Sequence, residues 1–254
     1  MIDLFSVKDK IILVTGAGKG IGEFLAHNLA SHSAIVSGID IKFPSSIPKK
    51  FDNNLFHFKC DVTNKKTFEK VCNKIFLKFK KIDVLINCAG ISNAVEKKNE
   101  FYPEEKWLKT IDVNLTSAFN CSQSAIFYMM KKKSGSIINI TSINAELGFP
   151  RNPAYVASKG GLKMLSKALA KDWGNLGIRV NNLGPGYIKT DMTMKRFLNK
   201  KSRQQRESRT VLGRWGEKDD LIGPCIFLAS DASKYVTGQD IYVDGGWLVN
   251  GLSD

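Results

Sequence analysis

A short apolar run that breaks into closely spaced glycines and then into a helical pattern restricts this chain to few folds. Residues 10–15 (Lys-Ile-Ile-Leu-Val-Thr) have the look of a buried parallel strand, apolar on both faces. Gly16-Ala17-Gly18-Lys19-Gly20-Ile21-Gly22 follows, and Phe24, Leu25 and Leu29 then recur at helical spacing. Glycines let the backbone approach a pyrophosphate, and the helix N-terminus offers N–H donors and the positive end of its dipole. The spacing runs Gly-x-x-x-Gly-x-Gly through Gly16, Gly20 and Gly22, not the G-x-G-x-x-G of many dehydrogenases. Taken alone, the loop also reads as a plain tight turn.

The rest of the chain repeats the alternation. Further strands are predicted at residues 34–40, 55–60, 82–87, 136–141, 179–183 and 240–243. Helices are predicted at 68–79, from 104 to about 133 as one long element, and at 153–173. Strands alternating with helices imply an α/β protein, a single-domain Rossmann-like doubly wound parallel sheet of about seven strands with helices on both faces, spanning 1–254. Ligands of such sheets bind beyond the carboxyl ends of the strands. Gly16, Asp40, Asp61, Asn87, Ser142 and Gly186 all fall there. Asp40 lies 18 residues after Gly22, near the spacing of a carboxylate that accepts from an adenosine ribose, although an acid ending a strand is commonly a turn residue.

One helix carries a pair with chemical consequences. Pro153 suits its first turn, and Leu162, Leu165, Leu169 and Trp173 recur along it. Tyr155 and Lys159 are four apart and share a face. A phenol ordinarily loses its proton near pH ~10. A cation one turn away favours the phenolate and lowers that value, so the pair can move protons to and from a hydroxyl or carbonyl. On an ordinary amphipathic helix the same two residues are surface groups, and the pair alone does not choose.

Composition removes other classes. No apolar run approaches the ~18 residues of a membrane span. The opening Met1 to Phe5 lacks the basic and apolar regions of a signal peptide, so a cytoplasmic protein with no membrane partner is expected. Cys60, Cys72, Cys88, Cys121 and Cys225 form no C-x-x-C, and His27, His32 and His57 signal neither a Ser-His-Asp triad nor a metal site. Reduced thiols and no metal are expected. The net charge of +14 is either a compositional habit or an attraction for anions, and no nucleic-acid recognition motif accompanies it.

Thr15-Gly-x-x-x-Gly-Ile-Gly22, Asn87-x-Ala-Gly90, Asn114, Ser142, Tyr155-x-x-x-Lys159 and Pro185-Gly186 together resemble the short-chain dehydrogenase/reductase family, in order over the whole chain. Asp3-Leu4-Phe5-Ser6, Glu146-Leu147-Gly148, Tyr187-Ile188-Lys189-Thr190 and Arg214-Trp215-Gly216-Glu217 look most like the gluconate 5-dehydrogenase group, with 3-oxoacyl-carrier-protein reductases as near neighbours. The resemblance implies Tyr155 as acid/base, Lys159 lowering its pKa and holding the nicotinamide ribose, Ser142 bonding the substrate oxygen, and Asn114 as a helix-breaking residue holding a water in a proton relay. It implies a cofactor site of Gly16, Lys19, Gly20, Ile21, Gly22, Asp40, Asp61, Val62, Asn87, Ala89, Gly90, Tyr155, Lys159, Pro185, Gly186, Ile188 and Thr190. It also implies a homotetramer paired through its long helices.

The implied activity is NAD(P)-dependent hydride transfer between nicotinamide and a secondary alcohol or ketone, of a sugar acid in the leading reading. A 3-oxoacyl-carrier-protein reductase using NADPH, and a catalytically inactive dinucleotide sensor, are the alternatives. Cys88 stands where the family usually has Asn, and reads as a packed thiol. Asp40 should repel a 2′-phosphate, which favours NAD, while Lys19 and Lys42 leave NADP possible. Residues 189–209 hold eight Lys/Arg against Asp191 and Glu207, a net of +6. In this family that segment covers the substrate cleft, so the charge suits an anionic substrate or equally a solvated face.

Overall fold

The computed structural model describes residues 3–44, 54–96 and 101–251. Met1 and Ile2 of the opening stretch lie outside them. Seven strands form one sheet: β1 (Ile11–Thr15), β2 (Ile35–Asp40), β3 (Leu55–Lys59), β4 (Val84–Asn87), β5 (Gly135–Ile140), β6 (Ile178–Pro185) and β7 (Asp240–Val243). All pair in parallel, in the order β3-β2-β1-β4-β5-β6-β7. The order reverses between β1 and β4, which opens a crevice at the carboxyl ends of those two strands.

Helices cover both faces because successive strand residues point to opposite sides. Ile12 and Val14 join one core with Leu25 and Leu29 of α1 (Gly20–Ser31) and Cys225 and Leu228 of α8 (Ile222–Ala229). Ile11 and Leu13 join the other with Phe68 and Ile75 of α2 (Lys65–Phe79), Ile126 of α4 (Ser117–Met129) and Leu169 of α5 (Pro153–Trp173). Phe68 is fully buried, worth about 2–3 kcal/mol of transfer free energy. The α/β expectation and all seven predicted strands hold, with ends shifted by a residue or two.

The single long helix predicted from 104 does not. The segment divides into α3 (Glu104–Ile111), one wide turn of π-helix (Asp112–Thr116), α4, and a 3-10 turn (Met130–Lys132). Asn114 sits inside the wide turn, 1% exposed, where its Oδ1 accepts from Ile91 N at 2.8 Å and its Nδ2 donates to Ile91 O at 3.0 Å. Both bonds tie the helix to the loop after β4, and the local widening accommodates that inward turn. The basic segment forms α6 (Asp191–Leu198) and α7 (Lys200–Glu207).

A row of polar side chains crosses the otherwise apolar sheet. Asn87, Asn139, Asn182 and Asp240 are register partners on β4, β5, β6 and β7. Asn87 Nδ2 donates to Asn139 Oδ1 at 2.8 Å, and Asn139 Nδ2 donates to Ser166 Oγ of α5 at 2.7 Å. Ser166 Oγ donates to Asn182 Oδ1 at 2.6 Å, and Asn182 Nδ2 donates to Asp240 Oδ1 at 2.7 Å.

Candidate active site

The glycine turn joins β1 to α1 and is shaped by close approach. A Cβ at Gly16 (φ +69°) would lie 2.8 Å from Ala89 backbone, one at Gly18 2.0 Å from Lys42 O, and one at Gly22 2.2 Å from Gly16 O. These three glycines are required by the chain's own packing. Gly20 (φ +66°) has nothing within 4 Å on its Cβ side and faces open space. Lys19 precedes α1 without a side-chain cap, which leaves the first amides of the helix without a side-chain acceptor. Backbone donors beside an open glycine fit a pyrophosphate, so the residues present fit a dinucleotide.

Asp40 ends β2 and leans over this turn. Its Oδ2 accepts from Gly18 N at 2.8 Å and its Oδ1 from Lys42 N at 3.1 Å. Lys19 and Lys42 are exposed on either side. Asp61 lies beyond β3, exposed, accepting from Thr63 N at 2.9 Å, and Val62 beside it is buried. At the end of β4, Thr15 Oγ1 accepts from Cys88 N at 3.0 Å and Ala89 N at 3.2 Å. Burial pushes the Cys88 thiol up to about 12, so it is a packed thiol at neutral pH.

Tyr155 and Lys159 sit one turn apart on α5, with Lys159 Nζ 5.7 Å from the phenol ring centre. Lys159 is 5% exposed and donates to Ile140 O at 2.7 Å. Burial lowers its pKa to about 8. The phenol departs from the sequence expectation. Burial raises the Tyr155 pKa, and the hydrogen bond with Ser142 pulls it back only in part. Desolvation penalises both charged forms and outweighs the helical proximity of the two groups. Tyr155 is therefore a protonated phenol at neutral pH.

Ser142 follows β5 and caps a 3-10 turn (Ile143–Ala145), accepting from Asn144 N at 3.1 Å and donating to Asn144 Oδ1 at 3.2 Å. Asn114 Nδ2 also donates to Ser158 Oγ of α5 at 3.1 Å. A Cβ at Gly90 would lie 3.5 Å from Asn114 Oδ1 and 3.7 Å from Lys159 Nζ. Ser142, Tyr155, Lys159, Asn114 and Gly90 thus come together at the carboxyl end of the sheet. Asn87 lies below them as the first member of the polar row.

The later cofactor candidates are more dispersed. Gly186 packs on Asp244, where a Cβ would lie 2.7 Å from Asp244 Cα, and Pro185 closes β6. The Ile188 side chain is buried against Gly216. Thr190 caps α6 in a reciprocal box with Thr193. Neither side chain joins the Tyr155 cluster.

Sequence reasoning passed over a second cluster. Glu146 Oε1 accepts from Tyr242 OH at 2.6 Å and pairs with Lys163, one turn beyond Lys159. These bonds hold the Glu146 carboxyl below its usual range, and burial, with the bond to Glu146 second, raises the Tyr242 phenol. They fasten the segment carrying Ser142 to α5 and β7. Its signals in the sequence were the Lys159–Lys163 spacing and Glu146 itself, which the sequence named only within Glu146-Leu147-Gly148. Among the described residues no helix is long and apolar enough to cross a membrane, and no group of three His, Cys, Asp or Glu could hold a metal.

A short-chain dehydrogenase model described as Enoyl-(Acyl carrier protein) reductase matches residues 16–248. The chain is 38% identical over 250 residues to 2-dehydro-3-deoxy-D-gluconate 5-dehydrogenase of Bacillus subtilis, covering 97% of each chain. It is 37% identical over 255 residues to 3-oxoacyl-[acyl-carrier-protein] reductase of Thermotoga maritima, covering 96% of this chain and 99% of that one. A gluconate 5-dehydrogenase from Burkholderia cenocepacia J2315, solved in complex with NADP and tartrate, superposes with a TM-score of 0.91 at 33% identity, covering 97% of this chain and 98% of that one. With the fold, the glycine turn and the Ser142–Tyr155–Lys159 cluster all present, the chain belongs to the short-chain dehydrogenase/reductase family.

Proposed function

We propose that this protein is one catalytic domain, 1–254, that transfers a hydride between a nicotinamide dinucleotide and a secondary alcohol or ketone of a sugar acid. The observation that carries the reading is the half-buried Tyr155 phenol, near Ser142 and one turn from Lys159, beside an open, uncapped glycine turn. The gluconate-type names of the relatives support the substrate class.

The glycine turn and the first amides of α1 would hold the pyrophosphate, Asp40 would accept from the adenosine ribose, and Asp61 and Val62 would meet the adenine. The nicotinamide, when bound, supplies or accepts the hydride. Tyr155, kept protonated by burial, gives its proton to the carbonyl oxygen in reduction and takes it back from the alcohol in oxidation. Ser142 donates to the same oxygen and stabilises the charge that develops there. Lys159 carries its charge on Nζ beside both the phenol and the ribose, and Asn114 holds the loop that floors this pocket. Asp40 supports NAD over NADP, because a 2′-phosphate would face its carboxylate. The protein works in the cytoplasm as a homotetramer.

A reductase acting on acyl groups carried by an acidic protein is the second reading, supported by the Thermotoga relative. Steady-state assays separate the two. Gluconate-type acids and an acetoacetyl thioester are each offered with both cofactors in both oxidation states. Turnover of the sugar acids at least tenfold above the thioester in kcat/KM is expected. The reverse order transfers the assignment to the second reading, and no turnover of either leaves a dinucleotide sensor.

A further inference from the structure

The net charge of the basic segment suggests a cationic cover, but the structure sorts its eight Lys/Arg into groups with different work. Five lie against aromatic rings: Lys189 and Arg203 on Phe197, Arg206 on Tyr187, Arg209 on Trp247, and Arg196 on Phe149. Three of these also have polar partners close in the fold. Lys189 pairs with Glu217, Arg203 with Glu207, and Arg206 donates to Ser202 Oγ at 2.7 Å. Lys189 and Arg203 thus have their charge paired with a carboxylate, while Arg206 bonds a neutral serine and keeps its buried Nε without a hydrogen bond. Arg209 is exposed over Trp247, near the C-terminal end of the described chain.

Arg196 differs in three respects. Its guanidinium lies 5.2 Å from the centre of the Phe149 ring, and Phe149 belongs to the segment that joins Ser142 to Tyr155. Of the five ring-stacked cations, it alone touches that segment. It is half-buried, yet has no hydrogen-bond or ion-pair partner among the described residues. A guanidinium held over an aromatic face keeps its N–H edge available, and that planar fork matches a carboxylate. A half-buried cation aimed at the substrate segment with all its donors unspent is a receptor awaiting an anion.

We propose that Arg196 is the specificity-determining residue that receives the substrate's carboxylate, with Phe149 fixing its orientation. The proposal rests on the sugar-acid reading and assigns that preference to one side chain rather than to the summed charge of residues 189–209. Lys189 and Arg203 are paired with carboxylates, Arg206 and Arg209 stack on rings outside the Ser142–Tyr155 segment, and Lys195, Lys200 and Lys201 are exposed.

The test compares wild type, Arg196→Met and Arg196→Lys with D-gluconate and with D-sorbitol, which replaces the carboxylate by an uncharged hydroxymethyl group. Sorbitol is read as a substrate or as a competitive inhibitor of gluconate oxidation. Cofactor affinity, read by fluorescence, monitors the fold. Arg196→Met should raise KM for gluconate at least tenfold, with kcat within threefold and the sorbitol constants within twofold, as expected for the loss of a charge-assisted contact. Arg196→Lys should recover part of the loss, and the salt dependence of KM for gluconate should flatten only in Arg196→Met. If Arg196→Met weakens gluconate and sorbitol equally, Arg196 is only a brace and the proposal fails while the sugar-acid reading stands. An unchanged KM for gluconate in Arg196→Met also overturns it. Wild type that turns over no sugar acid removes the underlying reading and the proposal with it.

Discussion

The chemistry rests on a few side chains whose surroundings, more than their identities, set their behaviour. Tyr155→Phe removes the oxygen that carries the proton and leaves the helix face intact. It should fold and bind cofactor but lose at least a hundredfold in kcat, a barrier change of about 2.7 kcal/mol, read by steady-state assay beside a fluorescence titration of the cofactor. Lys159 gives a stability signature. Its folded pKa of about 8 lies below the ordinary 10.5, so between those values the unfolded chain binds more protons than the folded one. Stability then rises with pH across that window, at up to about 1.4 kcal/mol per pH unit. Denaturant titrations at pH 7.5 and 10 (values about the two ends of the window) should show wild type gaining on Lys159→Met. A constant difference would mean that the lysine keeps its charge on burial. Asp40 governs the choice of cofactor. Its carboxylate is oriented by two backbone amides, and Lys19 and Lys42 are exposed, where ion pairs are worth only ~0–1 kcal/mol. Wild type should prefer NAD by at least tenfold in kcat/KM, and Asp40→Ser should erase or invert that preference. A wild type that already prefers NADP shows the lysines outweighing the acid.

At the scale of elements, the sequence was legible wherever periodicity spoke and opaque where side chains replaced backbone logic. Seven apolar runs ending in Gly, Asp, Asn or Ser gave the strands, and the glycine spacing gave the cofactor turn. The helix containing Asn114 was drawn too long because its apolar residues keep their spacing through the wide turn. The break comes from an asparagine bonding Ile91 far away in sequence, which periodicity does not record, although the family resemblance implied a helix-breaking role for Asn114. The basic segment left two readings open for a related reason, since a count of charges cannot show which of them lie on aromatic rings. The polar row was hidden too, because Asn139 and Asn182 stand singly inside apolar strands and no local pattern shows that they meet across the sheet. Its energetic weight is testable. Asn182 is fully buried and bonds Ser166 and Asp240, so Asn182→Ala leaves Ser166 short of a partner in a dry interior and half-buried Asp240 with only its lysines. A loss of about 2–4 kcal/mol is expected from urea unfolding. A loss below about 0.5 kcal/mol, the size of an ordinary surface substitution, would show that water or Lys163 substitutes for the amide.

At the scale of the whole molecule, apolar surface remains after the core is complete. Ala118, Ile126 and Met129 of α4 and Leu162 and Leu169 of α5 are buried within the chain. Phe119, Phe127 (54% exposed) and Met164 (60% exposed) are left on the outside of the same helices, with Trp107 and Leu108 of α3 also exposed. A homotetramer is expected from this face, and light scattering at micromolar concentration should give four times the chain mass. A monomer would refute it. The polar row also bears on how such a sheet finds its pairing. Parallel strands buried on both faces are runs of Val, Ile and Leu that pack almost as well when displaced. A displacement by two residues keeps every side chain on its own face, so greasy packing alone hardly objects. Displacing β5 against β4 in that way sets Asn87 opposite Ile137 in place of Asn139 and leaves two amides dry. The same holds at Asn139 with Asn182 and at Asn182 with Asp240. The four residues work as the teeth of a key, and a mispaired assembly is rejected before the catalytic end is complete.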